Sequence, residues 1–166
     1  PEKLRLCREL GAELAIDSRS EDFAEAVLDA TGGRGVDVVC DLVGGKTTER
    51  SFRAIALGGR CILAGFSGGI EAEDAGIVPR PLVFGNFSLA GVILAYVDDP
   101  APLKRATGWN FFPRSTGLRV HAQLGELLAA GKIRPVVGRT AAYSDLPAEL
   151  ERMEARQTLG RTILRW

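Results

Sequence analysis

The chain has 166 residues, of which 46% are hydrophobic and 25% charged, a composition typical of a globular domain with a sizeable core. Its 21 basic and 21 acidic side chains balance, so no net positive charge favours binding to nucleic acid. No apolar run reaches membrane-spanning length and no signal peptide is visible, so we expect a cytoplasmic protein that does not associate with membranes.

The first 33 residues predict helices that alternate with a short strand. Apolar spacing indicates a helix over residues 2–10 that ends at Gly11, and residues 14–16 form a short apolar run of strand type. Residues 18–21 have the spacing of a capping box, which predicts the start of a second helix. Gly32 and Gly33 then predict the end of that helix.

The next stretch predicts a strand, a helix and a second strand. Residues 36–43 are β-branched and almost continuously apolar, and residues 61–64 form another apolar run, as in parallel strands buried on both faces. Residues 47–57 predict the connecting helix, with Gly58 and Gly59 as its stop. Glycine-rich turns follow both strands, at the edge where open α/β sheets bind ligands. The glycines either let the backbone approach a ligand or serve only as turn residues.

The remaining residues predict a less regular region and then two further helices. Residues 70–81 are irregular, residues 82–84 resume an apolar run, and residues 86–94 predict a strand. Residues 98–113 predict a loop, whose aromatic side chains either pack on the domain or cap a pocket. Helices are predicted over 118–130 and after Ser144, with extended segments at 133–137 and 161–164. Such short alternating elements favour a doubly wound α/β sheet.

Few residues carry recognisable chemistry. The dinucleotide fingerprint G-x-G-x-x-G is absent, because Val38 occupies the last glycine position after Gly33 and Gly35. His121 is the single histidine and has no evident acid partner, which makes it a poor general base. Asp41 ends the central strand, where it either takes part in catalysis or accepts backbone hydrogen bonds from the Gly44–Gly45 turn.

The three cysteines complete this inventory. Cys7, Cys40 and Cys61 lie in apolar stretches, so we expect small core residues in a reducing compartment. They form no C-x-x-C pair or cysteine–histidine cluster, so the sequence predicts no metal site.

Four stretches together resemble one family of enzymes. Residues 2–17, 20–45, 57–69 and 131–164 are similar to the zinc-free, NADPH-dependent quinone reductases of the medium-chain dehydrogenase/reductase superfamily, which includes zeta-crystallin. The resemblance implies a Rossmann-like doubly wound parallel sheet with strand order 3-2-1-4-5-6. This chain would begin after strand 2 of that sheet, so it would be a carboxyl-terminal fragment that lacks the first βαβ unit and leaves residues 14–16 without a neighbouring strand.

The resemblance also implies two regions and a set of cofactor-binding residues. Residues 1–131 correspond to a partial NADP-binding domain, and residues 132–166 to a carboxyl-terminal segment that returns toward the substrate domain. Lys3 matches a lysine that contacts the 2′-phosphate of NADPH. Ser18 stands where relatives often have a tyrosine near the adenosine, with Arg19 beside it as a further cation.

The other implied contacts lie nearer the nicotinamide. The turn after strand 4 is matched by Leu42, Val43 and Gly44, and the turn after strand 5 by Phe66, Ser67 and Gly68. The segment that returns to the cofactor cleft is matched by Arg156 and Gly160. The implied function is zinc-independent hydride transfer from NADPH to a quinone or similar electrophile, with no catalytic residue identified. Two alternatives remain: an alkenal or enoyl reductase, and a non-catalytic nucleotide-binding or structural protein of the crystallin kind.

Assembly is the last expectation from the sequence. Residues 87–94 would form the last strand of the sheet and are long and apolar, with few charges to protect an exposed edge. In the family, two such strands pair antiparallel across a two-fold axis. We therefore expect a homodimer with this strand at its centre, unless the 98–113 segment covers the edge.

Overall fold

A computed structural model describes residues 2–69 and 76–166, which divide into two compact units, Pro1–Ala95 and Tyr96–Trp166. Residues 70–75, part of the segment predicted to be irregular, lie outside the described residues. The predicted boundary between residues 131 and 132 remains a prediction. None of the helices in the described part of the chain has both the length and the apolar character needed to cross a membrane.

The first unit contains a parallel sheet with helical connections. Its elements in chain order are α1 (Glu2–Glu9), α2 (Phe23–Ala30), β1 (Val36–Asp41), α3 (Lys46–Ser51), a 3-10 turn (Phe52–Ala54), β2 (Ile55–Leu63), α4 (Arg80–Gly85) and β3 (Ser88–Gly91). The strands lie in the order β1-β2-β3 and all neighbours are parallel, which confirms the predicted α/β class and the order expected for the last three strands. The carboxyl ends of the three strands therefore lie along the same edge.

The core of this unit lies where the helical segment that connects β1 to β2 packs against the sheet. The fully or almost fully buried apolar residues are Ala24, Phe52, Ala54, Ala56 and Cys61. The Phe52 ring lies 5.2 Å from the Phe87 ring, measured between centroids. At the surface, the Arg50 guanidinium lies 4.7 Å from the centre of the Phe23 ring, which ties α2 to α3.

Several predicted boundaries in the first unit are wrong. Residues 14–16 form no strand, because no strand among the described residues pairs with them. The N-cap of α2 is Asp22, whose carboxylate accepts from the Ala24 N–H at 3.0 Å, and the predicted capping box at 18–21 is a turn. Residues 82–84 lie in α4, where Pro81 occupies the first turn and is therefore tolerated.

The start of β2 differs most from the prediction. The helix predicted over 47–57 ends early, and β2 begins at Ile55, so Gly58 and Gly59 lie inside a strand. The β1–β2 register jumps here: Val36 pairs with Ile55, but Val38 pairs with Arg60. Glycine is required in this bulge, because Gly58 has φ +75° and a Cβ on Gly59 would lie 3.0 Å from the Asp37 carbonyl oxygen.

The strand predicted over 86–94 is also shorter than expected. β3 covers only Ser88–Gly91, and Asn86 adopts a left-handed conformation at the end of α4 with φ 49°. The Val92 N–H still donates to the Leu63 carbonyl at 2.9 Å. Val92 is therefore the last residue of this segment for which a hydrogen bond to β2 is recorded.

The second unit contains two two-stranded parallel sheets. Its elements are β4 (Tyr96–Val97), α5 (Pro100–Thr107), β5 (Phe112–Pro113), α6 (Arg114–Ala129), β6 (Val137–Ala142), a 3-10 turn (Tyr143–Asp145), α7 (Leu146–Glu154) and β7 (Arg161–Arg165). β4 pairs with β5, and β6 pairs with β7. The predicted helix over 118–130 and the terminal strand are confirmed, although α6 begins four residues earlier than predicted.

Two predictions in this unit are wrong. The predicted loop over 98–113 contains α5, which Asp99 caps by accepting from the Ala101 N–H at 3.0 Å, with Pro100 in its first turn and Gly108 at its left-handed end. Ser144 does not cap the next helix, because it lies inside the 3-10 turn and Asp145 occupies the N-cap position. The apolar face of α6 is not buried within its unit, since Leu118 and Leu128 are at least half exposed.

The cysteines differ from the prediction of three core residues. Cys61 is completely buried on β2, but Cys7 and Cys40 are exposed. Cys40 is exposed because β1 has a strand neighbour on only one side among the described residues.

Candidate functional site

The turns after β1 and β2 lie against each other at the carboxyl edge of the sheet. The Ser67 N–H donates to the Leu42 carbonyl at 3.0 Å, and the Gly68 N–H donates to the Val43 carbonyl at 2.9 Å. At the ends of the two strands, the Ala64 N–H donates to the main-chain carbonyl of Asp41 at 2.8 Å. The structure therefore brings together the two predicted groups at 42–44 and 66–68.

Glycine makes this close approach possible. A Cβ on Gly68 would lie 2.8 Å from the Val43 carbonyl oxygen, and one on Gly65 would lie 3.1 Å from the Leu42 carbonyl oxygen. Gly44 has φ +81°, a backbone conformation that L-residues with side chains rarely adopt. These glycines are therefore more than generic turn residues, because side chains at 65 and 68 would push the two turns apart.

Asp41 stabilises the turn after β1 through hydrogen bonds to its carboxylate. Its carboxylate is 4% exposed, and one oxygen accepts from the Val43 N–H at 2.7 Å and from the Gly44 N–H at 3.1 Å. The other oxygen accepts from the Thr48 hydroxyl at 2.5 Å. This confirms the structural alternative for Asp41, because every hydrogen bond recorded for its carboxylate organises the turn and the helix that follows.

Sequence reasoning missed Thr48. This residue is 3% exposed in the first turn of α3, seven positions after Asp41. A threonine in a polar stretch gives no apolar signal, and only its spacing from the strand-ending aspartate would have indicated the contact. Burial raises the pKa of the Cys61 thiol, and the negative charge of Asp41 raises it further. Cys61 is therefore an inert packing residue.

The surface that the two turns present is uncharged and partly apolar. The segments 42–45 and 64–69 contain no acidic or basic residue. Leu42 is 57% exposed, Phe66 is 52% exposed and Val43 is 38% exposed. Exposed apolar side chains around a bare backbone form a surface suited to the flat face of a ring rather than to an ion.

The residues assigned to the adenosine end lie around α1 and the turn that follows it. Lys3 is in the first turn of α1 and exposed, and Ser18 is exposed in the 18–20 turn. Arg19 is exposed, and its guanidinium donates to both oxygens of Asp17, at 2.9 and 2.8 Å. This contact holds the pKa of the Asp17 carboxyl at about 2, and it means that Arg19 already has a carboxylate partner.

Arg156 and Gly160 belong to the second unit. Arg156 has φ 58° just after α7, and Gly160 has φ 68° just before β7. A Cβ on Gly160 would lie 2.4 Å from the Val136 carbonyl oxygen, so this glycine is required for the approach of β7 to the chain before β6. Both assignments remain predictions.

The remaining candidates for chemistry are the single histidine and any cluster of metal ligands. His121 is exposed on α6. Among residues 2–69 and 76–166, no three histidine, cysteine, aspartate or glutamate side chains come together as a possible metal site.

Comparisons with known proteins match this architecture over nearly the whole chain. The family model for the zinc-binding dehydrogenases matches residues 1–107. A 2-haloacrylate reductase of Burkholderia sp is 28% identical over 164 residues, covering 98% of this chain and 45% of that protein. A quinone oxidoreductase of Pseudomonas aeruginosa is 30% identical, covering 99% of this chain and 46% of that protein.

A solved structure gives the same result. The mycobacterial protein Rv1454c, complexed with NADPH, superimposes with a TM-score of 0.75 at 25% identity, covering 98% of this chain and 46% of that one. The chain thus spans about half the length of the relatives that it matches. With its family model, its parallel α/β sheet and the glycine turns at the sheet's carboxyl edge, the chain belongs to the zinc-binding dehydrogenase family of the medium-chain dehydrogenase/reductase superfamily.

Proposed function

We propose that the chain is the cofactor-binding part of a zinc-independent reductase that transfers hydride from NADPH to a quinone or a similar electrophile. The observation that carries the proposal is the pair of uncharged glycine turns at 42–44 and 66–68, joined by main-chain hydrogen bonds. The quinone oxidoreductase and the 2-haloacrylate reductase among the relatives support reduction as the reaction class. A cytoplasmic location remains a prediction from the sequence.

The turns fit a nicotinamide ring on physical grounds. The reduced ring is flat and neutral, and this edge offers bare backbone at Gly68 beside the exposed side chains of Leu42 and Phe66. NADPH supplies the hydride when bound. The chain's own residues then orient the ring and exclude water from one side of it, and no residue here is assigned a proton-transfer role.

A second acceptor class has specific support. The Burkholderia relative is named for a 2-haloacrylate, an activated alkene. An alkenal or enoyl reductase is therefore the runner-up, and a non-catalytic nucleotide-binding or structural protein is the third candidate. Full-length protein that oxidises NADPH with 1,4-benzoquinone or 9,10-phenanthrenequinone supports the quinone assignment. Turnover with enones alone favours the runner-up, and binding of NADPH without turnover favours the third.

The same assay tests zinc independence. We expect activity to survive exhaustive treatment with EDTA or 1,10-phenanthroline. Loss of turnover on chelation, restored by added zinc, would contradict this part of the proposal.

Lys3 is proposed to select NADPH over NADH through the 2′-phosphate. Replacing Lys3 by alanine removes a charge-assisted contact, so NADPH affinity should fall by roughly 1.5–3 kcal/mol while NADH affinity changes little. Titration of the full-length protein with both cofactors measures the difference. An equal loss for the two would exclude the assignment.

We also propose a homodimer through β3, which with β1 is one of the two outer strands of the described sheet. Because Val92 donates inward to Leu63, strand alternation turns the Leu89 N–H outward, away from β2. Leu89→Pro should therefore break the dimer and spare the β2–β3 ladder, whereas Val92→Pro removes an internal bond. Sedimentation with circular dichroism tests this, and a folded Leu89→Pro protein that stays dimeric excludes β3 as the interface.

A further inference from the structure

We infer that Asp41 and Thr48 act together as positioning residues for the cofactor, an inference that rests on the proposed function. Neither side chain faces the exposed surface of the turns. Asp41 is 4% exposed and Thr48 is 3% exposed. They act through the backbone of the turn that they hold.

The first step is the fixing of the turn after β1. A carboxylate that accepts from two successive N–H groups, Val43 and Gly44, holds both peptide planes in one orientation. That orientation includes Gly44 at φ +81°, where the flexible glycine backbone would otherwise sample several conformations.

The second step is the fixing of the carboxylate itself. Aspartate rotates freely about its terminal torsion unless its second oxygen is also engaged. The Thr48 hydroxyl donates to that oxygen at 2.5 Å from the first turn of α3. Thr48 thereby ties the start of α3 to the end of β1 and leaves Asp41 a single arrangement.

The third step is the link between the fixed turn after β1 and the turn after β2. The Leu42 and Val43 carbonyls belong to the same peptide groups as the Val43 and Gly44 N–H groups that Asp41 holds, and they accept from Ser67 and Gly68. Displacement of the first turn therefore displaces the second. Because a shift of about 1 Å in a reacting group can cost on the order of 100-fold in rate, these hydrogen bonds influence hydride transfer from a distance.

The chain offers a matched set of variants for a test. Thr48→Val keeps the shape of the side chain but removes the hydroxyl, and Thr48→Ser keeps the hydroxyl. Ser51→Ala is the control: Ser51 is equally buried in α3, at 5% exposure, but its hydroxyl donates to the Thr47 carbonyl within the same helix. Asp41→Asn is a second variant at the carboxylate, should Thr48→Val fail to fold.

Two measurements on the full-length protein test the inference. The first is amide hydrogen exchange of peptides covering 42–44 and 64–69, and the second is steady-state oxidation of NADPH by 9,10-phenanthrenequinone. For Thr48→Val we expect exchange in both turns to accelerate about tenfold and kcat to fall about tenfold or more, with the quinone KM little changed. Thr48→Ser should restore both quantities, and Ser51→Ala should change neither despite a similar loss of thermal stability. Asp41→Asn should give a smaller change in the same direction.

Faster exchange with wild-type kcat would overturn the inference, because the turn would be held by Thr48 but would not position the cofactor. Equal effects of Thr48→Val and Ser51→Ala would also overturn it, by indicating a general loss of stability. Each of these outcomes leaves the proposed function intact, since the wild-type protein is active. A wild-type protein that neither binds nor oxidises NADPH overturns the proposed function and this inference together.

Discussion

Among the described residues, each of the two units buries one carboxylate, but the partners of the two carboxylates differ. In the first unit the donors to the Asp41 carboxylate from residues 2–69 and 76–166 are all neutral: two backbone N–H groups and a threonine hydroxyl. In the second unit Glu149, 6% exposed on α7, forms an ion pair with the Arg139 guanidinium of β6, with 2.7 Å between Nε and Oε1. The Thr162 hydroxyl of β7 also donates to Glu149, at 3.4 Å.

The two arrangements have different consequences. Two of the three donors to Asp41 are backbone N–H groups of a turn, so its hydrogen bonds set the shape of a surface. The partners of Glu149 lie on two strands, so its contacts join α7 to the β6–β7 pair. Of the six buried apolar residues in the described part of the chain, five lie in the first unit and Ala141 alone lies in the second, which leaves the second more dependent on such polar contacts and on close backbone approach.

The largest effect is expected where β6 and β7 meet. A Cβ on Gly138 would lie 1.6 Å from the Leu159 carbonyl oxygen, at the point where the β6–β7 register is irregular. Gly138→Ala should therefore destabilise the second unit by about 3 kcal/mol or more. The control is Gly125→Ala in α6, which has nothing within 4 Å and should stabilise the helix by up to ~1 kcal/mol. Urea unfolding measures both, and equal midpoints for the two variants would contradict the prediction.

A smaller effect is expected from the arginine beside Glu149. Arg139→Met leaves the buried carboxylate without its cation, which typically costs about 3–5 kcal/mol in a fully buried pair. The Arg139 side chain is 51% exposed, so we expect about 1–3 kcal/mol here. Arg114→Met is the comparison, because its pair with Asp98 is fully at the surface and should contribute less than about 1 kcal/mol. A loss for Arg139→Met no larger than for Arg114→Met would remove the distinction between the two pairs.

The smallest effect concerns an exposed pair in the first unit and is a pH dependence. The hydrogen bond from the Arg19 side chain, then that from its backbone N–H, lower the pKa of Asp17 to about 2. Because the folded pKa lies below the unfolded value of about 3.9, this carboxylate stabilises the fold above pH ~4. That contribution is lost as the pH falls toward 2. A carboxyl-carbon NMR titration should give a midpoint near 2, moving toward 3.8 in Arg19→Ala. A wild-type midpoint near 3.8 would mean that Arg19 is not held by Asp17.

The sequence predicted the strands that lead into the two glycine turns better than it predicted the segments around them. The strand at β1, the α/β class and the closeness of the 42–44 and 66–68 turns follow from apolar runs that end in glycine, because parallel strands place their carboxyl ends at one edge. The exposure of Cys40 was not predictable in the same way, since it depends on which strands are present as neighbours.

The errors have local causes. Asp99, Pro100 and Gly108 lie in the predicted loop over 98–113, because such residues are typical of turns, but here they cap, start and end a helix. Gly58 and Gly59 were interpreted as a helix stop, although the same flexibility serves a bulge within β2. Thr48 was missed because a buried hydroxyl gives no signal in an apolar pattern.

The central claim is that a nicotinamide cofactor lies on the two turns that Asp41 holds. A crystal structure of the full-length protein with bound NADPH tests it most directly. The account predicts that the nicotinamide and its ribose contact Leu42–Gly44 and Phe66–Gly68, with the Asp41 hydrogen bonds to Val43, Gly44 and Thr48 retained. A nicotinamide bound away from both turns, or a complex in which Asp41 has released them, would contradict it.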